Sequence, residues 1–274
     1  MDEGQELGQS TRLVPSSWVS VGVGIVIAVI VAVMAVQAVA AQQPTSRTAS
    51  WDVDVPTQAE AVQAAPRTQE TTSSVAPAAA RVLQPLQAVD SQWLSRTSTA
   101  TGIPARALLA YAAANLQLRQ EKPGCALGWN TLAAIGLAES GHGTHAGSSI
   151  GADGVARPAI LGIRLDGSSG TAVIRDTDAG AYDGDSQWDR AVGPMQFIPS
   201  TWAMDGADGN GDGVKDPQNI DDAALAAGRY LCASSTMSTP TAWRAAVQSY
   251  NNSSPYIDSI AAAANRYAAA ASGR

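Results

Sequence analysis

The chain has 274 residues, 45% hydrophobic and 15% charged, with a formal net charge of −7. Residues 1–80 carry seven acidic and three basic side chains, and the other 17 acidic and 14 basic groups nearly balance. No basic stripe exists to neutralise phosphates, which argues against nucleic acid as a partner and leaves attraction to anionic lipid unsupported.

In chain order, a short tail over 1–17 precedes a run without charge from Val19 to Ala41, built from Val, Ile, Ala and Met. About 20 such residues suffice to cross a bilayer as a helix, so 18–41 reads as a transmembrane anchor. Ala38-Val39-Ala40 also has the small-x-small form of a signal-peptidase site, and a leader cleaved near Ala40 is the alternative. Arg12 and Arg47 on either side leave orientation poorly encoded, and a short cytoplasmic tail with a large exported remainder is the expected topology. Cys125 and Cys232 lie in that part, where an oxidising compartment lets them pair. Residues 42–80 are rich in Gln, Pro, Thr, Ser and Ala and hold one aromatic, Trp51. Such a segment buries too little apolar surface to offset its chain entropy and is expected to be a disordered tether.

Residues 81–274 read as one mainly helical domain. Leu86, Val89, Trp93 and Leu94 mark one face of a helix, and Ile103-Pro104 opens a second through Leu108, Tyr111 and Leu116. Trp129-Asn130 leads into a third, ended by Gly141 and Gly143. Alanine-rich helices fit 221–233, 241–250 and 255–270. Residues 151–190 hold seven Asp and seven Gly. There, Ala159 to Leu165 and Thr171 to Arg175 flank a glycine turn and predict a small β-hairpin, either a flap over a cleft or a solvated loop.

Glu139 is the candidate for chemistry. It ends an apolar helix, and desolvation there raises a carboxyl's proton affinity, the condition for a general acid near neutral pH. Downstream, Gly193-Pro194-Met195-Gln196-Phe197 approaches a short helix ending at Trp202. Asp208, Asn210, Asp212 and Asp216 fall at loop positions 1, 3, 5 and 9 of a calcium-binding pattern, with Gly213 at the turn and a backbone carbonyl from Val214. The twelfth position is Asn219 where an acid is needed, and Asp221 or Asp222 fills in if the loop is long. Tyr250-Asn251 suits sugar contacts as well as a helix end. His142 and His145, the only histidines, fit neither a triad nor a zinc pattern.

In this order the motifs resemble the lytic murein transglycosylases, B type, across about residues 85–270. The resemblance implies a lysozyme-like α+β domain acting on peptidoglycan between N-acetylmuramic acid and N-acetylglucosamine. Glu139 is implied as sole acid and base, producing a 1,6-anhydro ring. Gln196, Tyr250 and Asn251 are implied to touch substrate, with Ser140 beside the acid, and a structural calcium ion to sit in the Asp208 loop. Two other readings stand beside it. In one, Asp178, Asp183, Asp185 or Asp189 activates water and the enzyme is a muramidase. In the other, the domain binds wall without cutting it.

Overall fold

A helix apolar on every side needs a protein coat, and Trp129–Ser140 is one: every residue from Trp129 to Gly136 is buried. The computed structural model describes residues 85–233 and 236–273. The tail, the anchor and the tether lie outside the described residues. Among the described residues, no helix is long and apolar enough to cross a membrane.

Seven helices are described: α1 (Ser91–Thr101), α2 (Ala105–Glu121), α3 (Trp129–Ser140), α4 (Pro199–Asp205), α5 (Ile220–Leu231), α6 (Pro240–Tyr250) and α7 (Ser254–Ala271). Leu86 lies in a separate 3-10 turn, Pro85–Ala88, because Asp90 caps α1 by accepting from Trp93 N at 2.7 Å. α2 packs chiefly on α5, and α3 on α7. Small residues make the first pair close: Ala107, Ala110 and Ala114 are buried on α2, and Ala223, Ala224 and Ala227 on α5. Around α3, Trp93 meets Trp129 edge-on at 5.5 Å, Asn130 Nδ2 donates to Ala264 O, and Trp243 Nε1 donates to Thr131. Asn130 and Thr131 of the buried helix thus find partners on α7 and α6.

Cys125 and Cys232 are disulfide-bonded, joining the loop after α2 to the end of α5. That bond closes 107 residues of chain.

The β structure lies between α3 and α4: β1 (Ser149–Ile150) with β2 (Ala156–Arg157), and β3 (Leu161–Arg164) with β4 (Arg190–Val192), both antiparallel. This corrects the expected hairpin. The turn after Leu165 does form, but its two arms share a single bridge, Asp166 with Val173, and Ile174 N donates to Leu165 O. The ladder of β3 goes instead to the segment that enters Gly193. Proximity along the chain favoured the short turn; the observed pairing satisfies more of the backbone of β3.

Candidate active site

The C-terminal end of α3 fixes the acid. Gly141 takes the left-handed conformation (φ 59°); its N–H bonds Leu137 O, and His142 N–H bonds Gly136 O at 2.9 Å. This double closure ends the helix at Ser140, one residue beyond Glu139. Ser140 Oγ then donates to Pro194 O at 2.6 Å and accepts from Gly143 N at 2.8 Å. The serine expected near substrate therefore spends its hydroxyl pinning the Gly-Pro-Met-Gln segment to the helix.

That segment has no slack. Gly193 sits at φ 77°, and a Cβ there would overlap the backbone of Pro217. Tyr250 Oη donates to Met195 O at 2.7 Å, bolting the same loop to α6. Gln196 is left-handed at φ 50°, an uncommon state for a residue with a side chain, and its Nε2 donates to Gly193 O at 2.9 Å. β3 comes against it: a Cβ on Gly162 would stand 3.0 Å from Gln196 Oε1.

Glu139, Gln196 and Asn251 line two adjoining cavities. The larger, about 620 Å³, is walled by Tyr256, His145, Gly162 and Ile163. The smaller, about 80 Å³, is walled by Phe197, Thr201, Tyr230 and Tyr250. The segment 151–190 therefore supplies a cleft wall through β3 and Thr171. Asn251 is 3% exposed and among the described residues its Oδ1 has no hydrogen-bond partner, so it offers a desolvated polar atom at the cleft.

Glu139 Oε1 accepts from Tyr256 Oη at 2.6 Å, and among the described residues no group bonds Oε2. Burial lifts the carboxyl to about 7, against the downward pull of the Tyr256 bond. Such a group gives up and takes back a proton near neutral pH. Tyr256 was missed from sequence because, with Ile257 and Ile260, it fits the apolar face of α7. Only its place six residues after Tyr250 in a site-forming segment signalled it.

The four aspartates considered as water activators are engaged elsewhere, and none lines either cavity. Asp178 accepts from Gly180 and Tyr182 N–H, and Asp183 from Asp185 and Arg190 N–H. Asp185 pairs with Arg164 and Arg190, and Asp189 binds Thr177 through both oxygens. His142 is buried between Tyr111 and Tyr267, and only His145 reaches the cleft.

The loop from Asp208 has the expected turn. Gly213 is at φ 85°, Asp208 accepts N–H groups of Gly211, Asp212 and Gly213, and Asp212 accepts from Val214 N. Asn210 Oδ1 accepts from Asp212 N, and Asp216 from Gln218 N. Asn219 is spent as the cap of α5, accepting from Asp221 N at 2.9 Å. Of the two acids that follow, Asp222 is the one that α5 returns beneath the loop, where it accepts from Gly209, Asn210 and Asp216 N–H. Burial lifts this carboxyl to about 6, and the charge of Asp208 adds to the effect. Two carboxylates drawn together among other oxygen donors fit a hard cation chemically. The described trio of carboxylates within 4.8 Å of one another is a different one, Asp176, Asp178 and Asp189.

No curated protein and no solved structure matches the chain. Residues 170–250 match the family model described as Transglycosylase SLT domain. That span takes in the Gln196 loop, the Asp208 loop and Tyr250, and stops short of Asn251 and Tyr256. The match supports, in general terms, a lytic transglycosylase enzyme with peptidoglycan as its substrate.

Proposed function

We propose that the chain is a lytic transglycosylase of the B type, which cleaves the β-1,4 bond from N-acetylmuramic acid to N-acetylglucosamine and leaves a 1,6-anhydro end. One observation carries the reading: among the described residues Glu139 is the sole carboxylate lining the cleft, and it has a proton affinity suited to both halves of such a reaction. Protonated Glu139 gives its proton to the glycosidic oxygen as the C1–O bond breaks. The 2-acetamido carbonyl oxygen of the substrate closes on C1 in place of an enzyme nucleophile. Ionised Glu139 then takes the proton from the C6 hydroxyl as O6 attacks C1, which restores the acid and consumes no water. Tyr256 donates to Glu139 Oε1, stabilising the ionised form between the steps. Gln196 and Asn251 hold the sugar on either side, and Ser140 and Tyr250 keep the loop that carries Gln196 in place.

Digestion of intact sacculi followed by mass spectrometry tests the reading. Muropeptides lighter by one water are expected, and reducing ends alone would refute it in favour of a muramidase. Peptidoglycan binding is expected to survive Glu139→Gln while cleavage is lost; undiminished cleavage would sink the acid assignment.

The proposal places the domain outside the cytoplasmic membrane, tethered by 18–41 or released near Ala40. The disulfide supports an oxidising compartment. We also propose a structural calcium ion held by Asp208, Asn210, Asp212, Val214 O and Asp216, with Asp222 in the closing position. Calcium is then expected to raise the unfolding temperature, and Asp208→Ala to abolish that rise; an unfolding temperature indifferent to calcium and chelator would remove the ion from the account.

A further inference from the structure

His142 lines neither cavity, and no step above uses it. It is nevertheless 6% exposed, with a backbone in the left-handed region at φ 61°. A residue with a side chain stays in that region only when its surroundings hold it. Two hydroxyls do so: Tyr111 Oη of α2 lies 3.2 Å from Nδ1, and Tyr267 Oη of α7 lies 3.0 Å from Nε2. Burial lowers the imidazole to about 4, so near neutral pH it carries no charge. One nitrogen then donates and the other accepts, and the two tyrosines take opposite parts. Arg266 faces Tyr267, its guanidinium 5.7 Å from the ring, and its charge and side-chain hydrogen bond oppose the rise that burial gives the Tyr267 hydroxyl.

α7 is also the helix that brings Tyr256 to the acid. It is stitched to the end of α3 at two points, Glu139 with Tyr256 and His142 with Tyr267, eleven residues apart along α7. That is about three helical turns. Two anchors so far apart set both the rotation and the axial position of α7 against α3. Tyr111 holds the third side, and its hydroxyl sits where a Cβ on Gly136 would be.

We infer that His142 is a positioning residue for the acid: by bridging Tyr111 and Tyr267 it sets the register of α7 and so keeps Tyr256 Oη on Glu139 Oε1. The inference rests on reading Glu139 as the acid and base.

Two variants test it in the full chain. His142→Asn keeps a residue that tolerates the left-handed region but cannot reach both tyrosines. Tyr267→Phe removes a single oxygen and decides alone if the first variant does not fold. Glu139 is followed by carbon NMR of labelled glutamate side chains, of which the chain has six, alongside the pH profile of sacculus cleavage. Losing a donor to the ionised form raises the titration midpoint, so Tyr256→Phe should move it up by about one pH unit. His142→Asn and Tyr267→Phe should move it the same way, part of that distance, with kcat about tenfold lower and KM nearly unchanged. A Glu139 midpoint and alkaline limb at the wild-type position in the folded variants would overturn the inference, whatever their loss of thermal stability. The NMR titration does not depend on cleavage, so a failure of the acid assignment itself would register separately, as activity retained by Glu139→Gln.

Discussion

Glu139→Gln should make the protein more stable, and only above a certain pH. Burial holds the Glu139 carboxyl at about 7 in the fold, against 4.5 for a free glutamate. The folded state therefore binds the proton more tightly than the unfolded chain. Stability is unaffected below about pH 4.5, declines as pH rises from there to about 7, and levels off beyond. The full gap corresponds to about 3 kcal/mol. Water in the open cleft reaches part of the side chain, so this is a ceiling. Glutamine has the shape of the protonated acid, keeps an oxygen for Tyr256 and carries no charge at any pH. The variant should match the wild type at pH 4 and exceed it at pH 8.5 by up to about 3 kcal/mol, or about 6–10 °C for a domain of this size. Thermal unfolding of both proteins at closely spaced pH values measures the gap. A difference in Tm that stays flat from pH 4 to 9 would refute the reasoning, because it would mean that ionising Glu139 costs the fold nothing. The stability gained on removing the acid is what a strained functional group predicts.

Replacing Cys125 and Cys232 by serine together frees a 107-residue loop in the unfolded chain and should cost about 4 kcal/mol, read as a lower urea midpoint. Gly193→Ala forces a side chain into the Pro217 backbone at a left-handed position; a loss of at least about 2 kcal/mol is expected, with cleavage falling as Gln196 shifts. Arg106 pairs with Asp221, which is 2% exposed, and its Nε also donates to Ala152 O at the start of the cleft-wall segment. Arg106→Ala should cost about 3 kcal/mol by stranding a buried carboxylate, and the double change with Asp221→Ala should cost less than the single one. A double variant less stable than Arg106→Ala would show that the stranded charge was not the cause.

The helices were legible where stop signals sit in the sequence. Gly141 ends α3, Pro104 precedes α2, and the alanine-rich runs fall on α5, α6 and α7 to within a residue or two. Glu139, Tyr250 and Asn251 lie at helix ends, where local rules place a side chain firmly, and Gln196 lies in the tight loop between β4 and α4 that Gly193 and Pro194 announce. Two kinds of information were not local. The partner of β3 is some thirty residues away across a loop of irregular backbone, and periodicity does not encode which of several extended runs will pair. Tyr256 looks like any apolar residue of α7, since a tyrosine spaced with isoleucines reads as core. Its hydroxyl gains a role only because α7 crosses the end of α3. Likewise the sequence offered Asp221 or Asp222 as the acid near the Asp208 loop, and only the direction of α5 separates them, turning Asp222 to the loop and Asp221 to Arg106.

The aspartates of 151–190 bear on how one acid can be enough. They are spent on backbone N–H groups and on arginines. Asp183 takes the Arg190 N–H, Asp185 holds both Arg164 on β3 and Arg190 on β4, and Arg190 Nη1 donates to Gly162 O. These bonds shape the β3–β4 wall, which brings Gly162 against Gln196 and Ile163 into the cleft. A free aspartate on that wall would face Glu139 across the sugar and, while ionised, would raise its proton affinity further. It would also offer water a base. With Asp178, Asp183, Asp185 and Asp189 engaged in this way, the cleft presents, among the described residues, one carboxylate and a largely uncharged lining. On the reading proposed above, the substrate's own acetamido and C6 hydroxyl groups then act as the nucleophiles, while these aspartates serve as the masonry of the cleft.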